Sequence, residues 1–361
     1  MNNMKKVSVV VPCYNAAEYL DQCLRQLLCQ TIGIEDMEII LVDDASTDGG
    51  ETKRLIQEYE RRFPETILAV FLEENRRQGG ARNVGVVYAG GEYLTFCDAD
   101  DWLLEETLEH AYNAAIKYDA DVVAFARKNV GVHGVCTELE KGTKDELFIL
   151  EDIEARKKFL LNTREEGYSS QNKLFRLSLI KDENITFAEH LVMEELSFTL
   201  PVRLYAKRYY YLDERLYICF LSPGSTMRDS AAWKLRKWDN LKVWIALLEE
   251  LTCRKILQRY WHEVEYLFFT LGIGWSLGML FQSNCILTKD EWKTLTEISC
   301  GIIPGIKENP YVLHEAHPFN QAWNRLLLKI LDMEFTDADV QEANDAMKES
   351  AQAFSSCRAF V

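Results

Sequence analysis

Asp98-Ala99-Asp100-Asp101 and Asp43-Asp44 are the residues of this chain with the most evident capacity for chemistry, and each cluster closes an apolar run. The runs before them, Tyr93–Cys97 and Glu38–Val42, are short and rich in β-branched or aromatic residues, which predicts strands. Val7–Val11 is a third such run and ends in Pro12-Cys13-Tyr14-Asn15. Gly79-Gly80-Ala81-Arg82-Asn83-Val84-Gly85 lies between the strand candidates Ile67–Leu72 and Tyr93–Cys97. Ligands of open parallel sheets bind outside the carboxyl ends of the strands. These residues therefore share one crevice, with several carboxylates, one aromatic ring and one arginine. Crowded carboxylates repel, and they stay ionised when a cation sits among them. Oxygen ligands suit Mn²⁺ or Mg²⁺, which bind through one or two carboxylates plus substrate phosphates. Asp98 and Asp100 thus read as half a metal site that a diphosphate would complete. Plainer roles compete for single residues. Asp101 suits the N-cap of a following helix, one of Asp43 and Asp44 suits a turn before Ser46, and Arg82 suits an exposed helix face.

The elements that must position these residues alternate. Asp121–Arg127 adds a fifth strand candidate, and helices are predicted over about Ala16–Gln30, after Ser46-Thr47-Asp48-Gly49, over about Gly80–Tyr88 and over Leu103–Tyr118. Asn15 with Glu18 three residues on reads as an N-cap. That order predicts an α/β fold with a mostly parallel sheet flanked by helices. Beyond Asn129 the pattern loosens, with a helix near Asp152–Leu161 and strand-like runs at Leu174-Phe175, Arg208–Leu212 and Leu216–Leu221. From Ser230 onward it is helical. The expected organisation is residues 1–226 as one domain, in halves 1–130 and 131–226, and 227–361 as a helical C-terminal region.

Composition narrows the function classes. The 361 residues carry 41 Lys and Arg against 57 Asp and Glu, a formal charge of −16. Nucleic-acid binding needs a cationic footprint, so no nucleic-acid partner is expected. The ten cysteines show no paired spacing that would suggest a disulfide framework or zinc site. The most apolar stretch, Tyr266–Phe281, falls short of the roughly 20 residues a spanning helix needs, and no leader peptide is evident. The expectation is a soluble, cytoplasmic protein, with contact at the inner face of the membrane left open. Trp233, Trp238, Trp244, Trp261 and Trp275 suggest an aromatic-rich helical layer, and Gly272 and Gly274 suggest close helix packing.

Val9-Val10-Val11-Pro12-Cys13-Tyr14-Asn15, Leu41-Val42-Asp43-Asp44-Ala45-Ser46-Thr47-Asp48-Gly49, Gly80-Ala81-Arg82-Asn83-Val84-Gly85 and Phe96-Cys97-Asp98-Ala99-Asp100-Asp101-Trp102, in that order, resemble the family-2 glycosyltransferases of the GT-A fold. The resemblance implies transfer of a sugar, with inversion, from a nucleotide-sugar donor, usually a UDP-sugar, to a hydroxyl of a glycan or lipid-linked acceptor in cell-surface polysaccharide or glycolipid synthesis. It implies that Pro12 and Tyr14 line the base. Asp43 or Asp44, with Asp44 favoured, would accept from the base, Asp98 would lie by the ribose, Asp100 would hold Mn²⁺ or Mg²⁺, and Arg82 would stand near the nucleotide. Asn172-Lys173-Leu174-Phe175-Arg176 and Glu194-Glu195-Leu196-Ser197-Phe198 resemble the acceptor half of bacterial members. There the second acid is an aspartate serving as general base, and here Glu195 occupies that place. The arginine that such members carry shortly before Ser225-Thr226 is missing. Both departures keep a second reading open, a relative that binds nucleotide or glycan without turnover. The oligomeric state is not indicated.

Overall fold

In the computed structural model of the chain, residues 4–131, 140–142, 144–162, 167–221, 236–315 and 318–354 are described. The chain divides into two compact units, Met1–Pro223 and Gly224–Val361.

The first unit is built on a ten-stranded sheet of order β3-β2-β1-β4-β9-β6-β10-β5, with β7 and β8 both on β10. The strands are β1 (Val7–Cys13), β2 (Met37–Asp43), β3 (Ile67–Phe71), β4 (Tyr93–Phe96), β5 (Trp102–Leu103), β6 (Val122–Val130), β7 (Glu140–Lys141), β8 (Glu146–Ile149), β9 (Lys173–Arg176) and β10 (Arg208–Phe220). Strands β3, β2, β1 and β4 run parallel, β9 runs antiparallel between β4 and β6, and β10 returns parallel to β6. Every residue of β1 is buried. Val7, Val9, Val11 and Cys13 face one core with Leu20, Leu24 and Ile56, while Val10 faces the other with Ala81, Phe96 and Phe198. Covered on both faces, a central strand needs apolar residues at every position rather than at alternate ones, which is why these runs are readable in the sequence.

The helices of this unit are α1 (Ala17–Leu28), α2 (Glu51–Arg62), α3 (Arg77–Tyr88), α4 (Thr107–Tyr118), α5 (Ile153–Leu160), α6 (Leu177–Asp182) and α7 (Glu195–Tyr205). Several local expectations are corrected. Asn15 does not cap α1; Ala16 holds that place without a side-chain cap, and Asn15 sits in the left-handed region at φ 51°. There its Oδ1 accepts from Thr47 N at 2.7 Å, which laces the end of β1 to the end of β2. The helix expected from Leu103 starts at Thr107, because Trp102 and Leu103 are drawn into the sheet against Ile218 and Tyr217. The two runs at Arg208–Leu212 and Leu216–Leu221 form one strand, with register shifts on β6 between Leu212 and Tyr217.

The second unit is helical. Trp244, on helix Asp239–Cys253, is fully buried, its ring centroid 5.5 Å from that of Phe268. Trp238, Trp261 and Trp275 are half-buried, and Trp233 lies outside the described residues. The run Leu257–Gln282 is long and apolar enough to cross a membrane, yet 72% of its most apolar window is buried within the unit. Close packing accounts for its glycines: a Cβ on Gly272 would lie 2.7 Å from the Phe268 ring, and one on Gly274 would lie 2.7 Å from Trp323 Nε1.

Helix α3 carries the site's arginine and lies directly on β1. A Cβ at Gly85 would meet Val10 Cγ1 at 2.3 Å. Overpacking of that kind costs about 1–3 kcal/mol, against about 1 kcal/mol gained when alanine replaces a helical glycine. Gly85→Ala is therefore expected to lower the urea midpoint of unfolding. A raised midpoint would show that helix propensity, not the contact with β1, governs this position.

Candidate active site

The strand order reverses at β1, between β2 on one side and β4 on the other, which is where a crevice opens beyond the carboxyl edge of such a sheet. The segments after β1, β2 and β4 meet there.

After β1, Pro12 is buried and Tyr14 is exposed at 48%. The Tyr14 hydroxyl lies 3.5 Å from Thr47 Oγ1, so its ring stands at the mouth of the crevice. After β2 the two aspartates divide. Asp43 Oδ1 accepts from the hydroxyl of Ser46 at 2.5 Å and from its N–H at 3.3 Å, a local turn. Asp44 instead faces the next loop, where its Oδ1 accepts from Arg76 N at 2.7 Å, and burial raises its pKa.

Arg82, on α3, is fully buried, which rules out the exposed-helix reading. Its Nη2 donates to Asp98 Oδ1 at 2.7 Å and its Nη1 to Glu194 Oε1 at 2.8 Å, with Glu195 Oε1 at 3.9 Å. The guanidinium centre lies 5.3 Å from the centroid of Phe187 and 5.9 Å from that of Phe96. Burial opposes the charge, and the carboxylates of Asp98, Glu194 and Glu195 outweigh it, holding Arg82 above its ordinary pKa. The positive charge of Arg82, expected near a nucleotide, is thus paired with acids of the protein.

Asp98 also accepts from Gln78 Nε2 at 2.9 Å on Oδ1 and from Gln171 Nε2 at 2.8 Å on Oδ2. Asp101 does not cap a helix. Its carboxylate accepts from the Tyr217 hydroxyl at 2.5 Å and from Phe220 N at 2.8 Å, which fastens the end of β10 to this loop. Burial first, then the charges of Asp98 and Asp100, push it up to about 8. Asp100 differs from all of these. Among the described residues no other group hydrogen-bonds or ion-pairs its carboxylate, and burial with the nearby Asp98 charge pushes it up to about 6. A half-buried carboxylate without a protein partner suits a hard divalent cation that takes one protein oxygen and fills its remaining positions with phosphate and water. The donor set fits that group, although no cluster of three metal-ligating side chains exists among the described residues.

On the far side, Glu194 is the N-cap residue of α7 and Glu195 its first residue. Burial pushes Glu194 up to about 7, with Arg82 pulling it back and Glu195 adding to the rise. Glu195 keeps 26% of its side chain exposed. The structure therefore brings Asp98, Arg82, Glu194 and Glu195 together, with Asp100 beside Asp98. Asp43 and Asp44 stand on the neighbouring strand end.

A family model described as glycosyl transferase family 2 matches residues 8–183. The matched segment is just under half of the chain and holds the aspartates, the arginine and the α3 glycines described above. It is 31% identical over 219 residues to the poly(ribitol-phosphate) beta-glucosyltransferase of Bacillus spizizenii, covering 58% of this chain and 32% of that one. To the poly(ribitol-phosphate) beta-N-acetylglucosaminyltransferase TarS of Staphylococcus aureus it is 32% identical over 216 residues, covering 59% and 35%. The chain thus spans about a third of the length of these curated relatives. The crystal structure of S. aureus TarS 1–349 in complex with UDP-GlcNAc superposes with a TM-score of 0.57 at 22% identity, over 97% of this chain and 92% of that one. The mannosyltransferase PcManGT from Pyrobaculum calidifontis, in complex with GDP-Man and Mn²⁺, gives 0.51 at 15% identity, over 95% and 87%. The likeness shows the fold, a GT-A mostly parallel sheet flanked by helices, with a helical C-terminal region.

Sequence reasoning missed the polar residues that complete the site: Gln78, Gln171, Tyr217, Asn83 and Arg76. Gln78 and Gln171 each stand directly before a quoted motif, Gly79-Gly80 and Asn172-Lys173, and that adjacency was the available signal. Ser225-Thr226 lie outside the described residues.

Breaking a buried ion pair from one side costs about 3–5 kcal/mol, because the other charge stays buried. Arg82→Met is expected to destabilise the first unit by about that amount near neutral pH, measured by urea unfolding. The pH sign follows from Glu194. Its folded pKa of about 7 lies above the ordinary glutamate value of 4.5, so its contribution is complete below pH 4.5 and is lost as pH rises to about 7. Glu194→Gln should flatten that part of the stability profile, and an unchanged slope would contradict the assignment.

Proposed function

We propose that the chain is a metal-dependent inverting glycosyltransferase that moves a sugar from a nucleotide-sugar, most simply a UDP-sugar, to a hydroxyl of a cell-surface glycan or its lipid-linked precursor, and that it works in the cytoplasm. The observation that carries this reading is Asp100, whose carboxylate no other group among the described residues hydrogen-bonds or ion-pairs, beside Asp98 and Asp101, which protein donors hold. Support comes also from the family and from the relatives' printed activities, which concern poly(ribitol-phosphate) acceptors.

On this reading each residue has a task that its surroundings suit. Tyr14 offers an exposed ring beside buried Pro12 for stacking on the base. Asp44, held by Arg76 N, accepts from the base. Asp98, oriented by Arg82, Gln78 and Gln171, presents a fixed edge to the ribose. Asp100 would hold Mn²⁺ or Mg²⁺, and the cation supplies charge stabilisation for a departing diphosphate. Glu195 takes the proton of the acceptor hydroxyl, since it is the partly exposed acid of its pair. Glu194 keeps Arg82 in place and so fixes the distance between donor and acceptor sides.

UDP with Mn²⁺ is expected to raise the melting temperature. A ligand at a hundred times its Kd adds about 2.7 kcal/mol, and Asp100→Asn should remove most of that gain. Absence of a shift with any nucleoside diphosphate would overturn the reading. A screen of nucleotide-sugars for metal-dependent UDP release then tests turnover. Glu195→Gln should lower release by about 10²–10⁴-fold while leaving UDP binding intact. Binding by the wild type without release from any donor would favour instead a relative that binds nucleotide without turnover.

A further inference from the structure

Residues 186–195 reach α7 by an irregular path in which two non-glycine residues, His190 and Met193, take left-handed conformations at φ 60° and 67°. Such residues persist only where their surroundings fix them, and the fixing contacts come from the donor half. Asn83, next to Arg82 on α3, donates through Nδ2 to the Phe187 carbonyl at 2.9 Å and to Glu189 Oε1 at 3.1 Å. Phe187 N donates back to Asn83 Oδ1 at 2.8 Å. Arg76 Nε and Nη2 both donate to Glu189 Oε2, at 3.0 and 2.6 Å, and the Arg76 carbonyl accepts from His190 N at 3.2 Å. The backbones press together as well, for a Cβ at Gly79 would lie 2.3 Å from the Ala188 carbonyl oxygen.

The same Arg76 gives its backbone N–H to Asp44 Oδ1 at 2.7 Å. A continuous chain of contacts, Asp44 to Arg76 to Glu189 to Asn83, therefore runs from the carboxylate assigned to the base to the segment that delivers Glu194 and Glu195. We infer that Glu189 is a positioning residue for the transfer, fixing the Glu194–Glu195 pair relative to Asp44 so that donor binding and activation of the acceptor are coupled. The inference rests on the proposed reading of Asp44 and Glu195. The exposures argue for placement over stability. Arg76 and Glu189 keep 34% and 28% of their side chains exposed, and ion pairs that open to water add little to stability. Their effect lies in holding a strained segment in one register, and an ångström of displacement at a reacting group is enough to slow transfer.

Glu189→Gln keeps the size and an acceptor for Asn83 but removes the charge that Arg76 bonds. With the donor that the wild type turns over, its kcat is expected to fall about tenfold. The Kd for UDP with Mn²⁺, measured by calorimetry, should rise about threefold, with the melting temperature nearly unchanged. Arg76→Lys retains a charge but not the two-nitrogen contact and should show the same pattern more weakly; it decides the matter should Glu189→Gln fail to fold. Wild-type kcat and UDP affinity in both variants would overturn the inference and leave the glycosyltransferase reading standing. A wild type that binds no nucleoside diphosphate would overturn that reading, and this inference with it.

Discussion

Arg82 is a guanidinium with no access to water, and the surrounding unit supplies acids to both of its terminal nitrogens, while its Nε is left without a hydrogen-bond partner. A buried charge must be matched closely or it unfolds its surroundings. Here the matching acids come from two distant parts of the chain: Asp98 lies just after β4, and Glu194 is the N-cap of α7, 112 residues from Arg82. Only one placement of these elements brings both acids within reach of the same side chain. Well-packed apolar residues of similar volume often match or exceed the stability of a buried ion pair. The service of this one is therefore geometric, since it holds the edge of β4 and the start of α7 at a fixed separation. Phe96 and Phe187 flank the guanidinium and keep its alternatives closed.

The acids around that centre differ by what they bond. Asp43 turns inward to Ser46, Asp98 is held by three donors, and Asp101 anchors Tyr217 and Phe220. Each of these carboxylates spends its oxygens on protein. Asp100, two residues from Asp98, does not, and it carries both a burial penalty and a like-charge penalty in consequence. Carboxylates so disposed mark the place where an external positive charge lowers the energy most.

Much of this could be read from the residues alone. Strands β1, β2 and β4 are mostly apolar because they are covered on both faces, with Ser8, Glu38 and Thr95 the polar interruptions, and the chemistry-bearing aspartates stand at the ends of β2 and β4. Where reading failed, the deciding contact was distant in sequence. Asn15 looks like a helix cap, but Thr47 claims its side chain from 32 residues away. Asp101 looks like another, but Tyr217 claims it from 116 away. Trp102 and Leu103 have the propensity to begin a helix, and pairing with β10 overrides it. Gln78 and Gln171 are unremarkable as residue types. They matter only because Asp98 lies within their reach, 20 and 73 residues away. Local pattern carried the elements and the acids, and long-range hydrogen bonding decided which acid does what.

The pair Glu194-Glu195 shows how two identical neighbours acquire different tasks. Successive helical residues point about 100° apart, and at the start of α7 only one of the two hydrogen-bonds the buried arginine. Glu194 does so at 2.8 Å and loses nearly all contact with water, while Glu195 remains at 3.9 Å and partly exposed. By occupying Arg82, Glu194 leaves Glu195 as the partly exposed acid of the pair, which is the arrangement the role proposed for Glu195 requires.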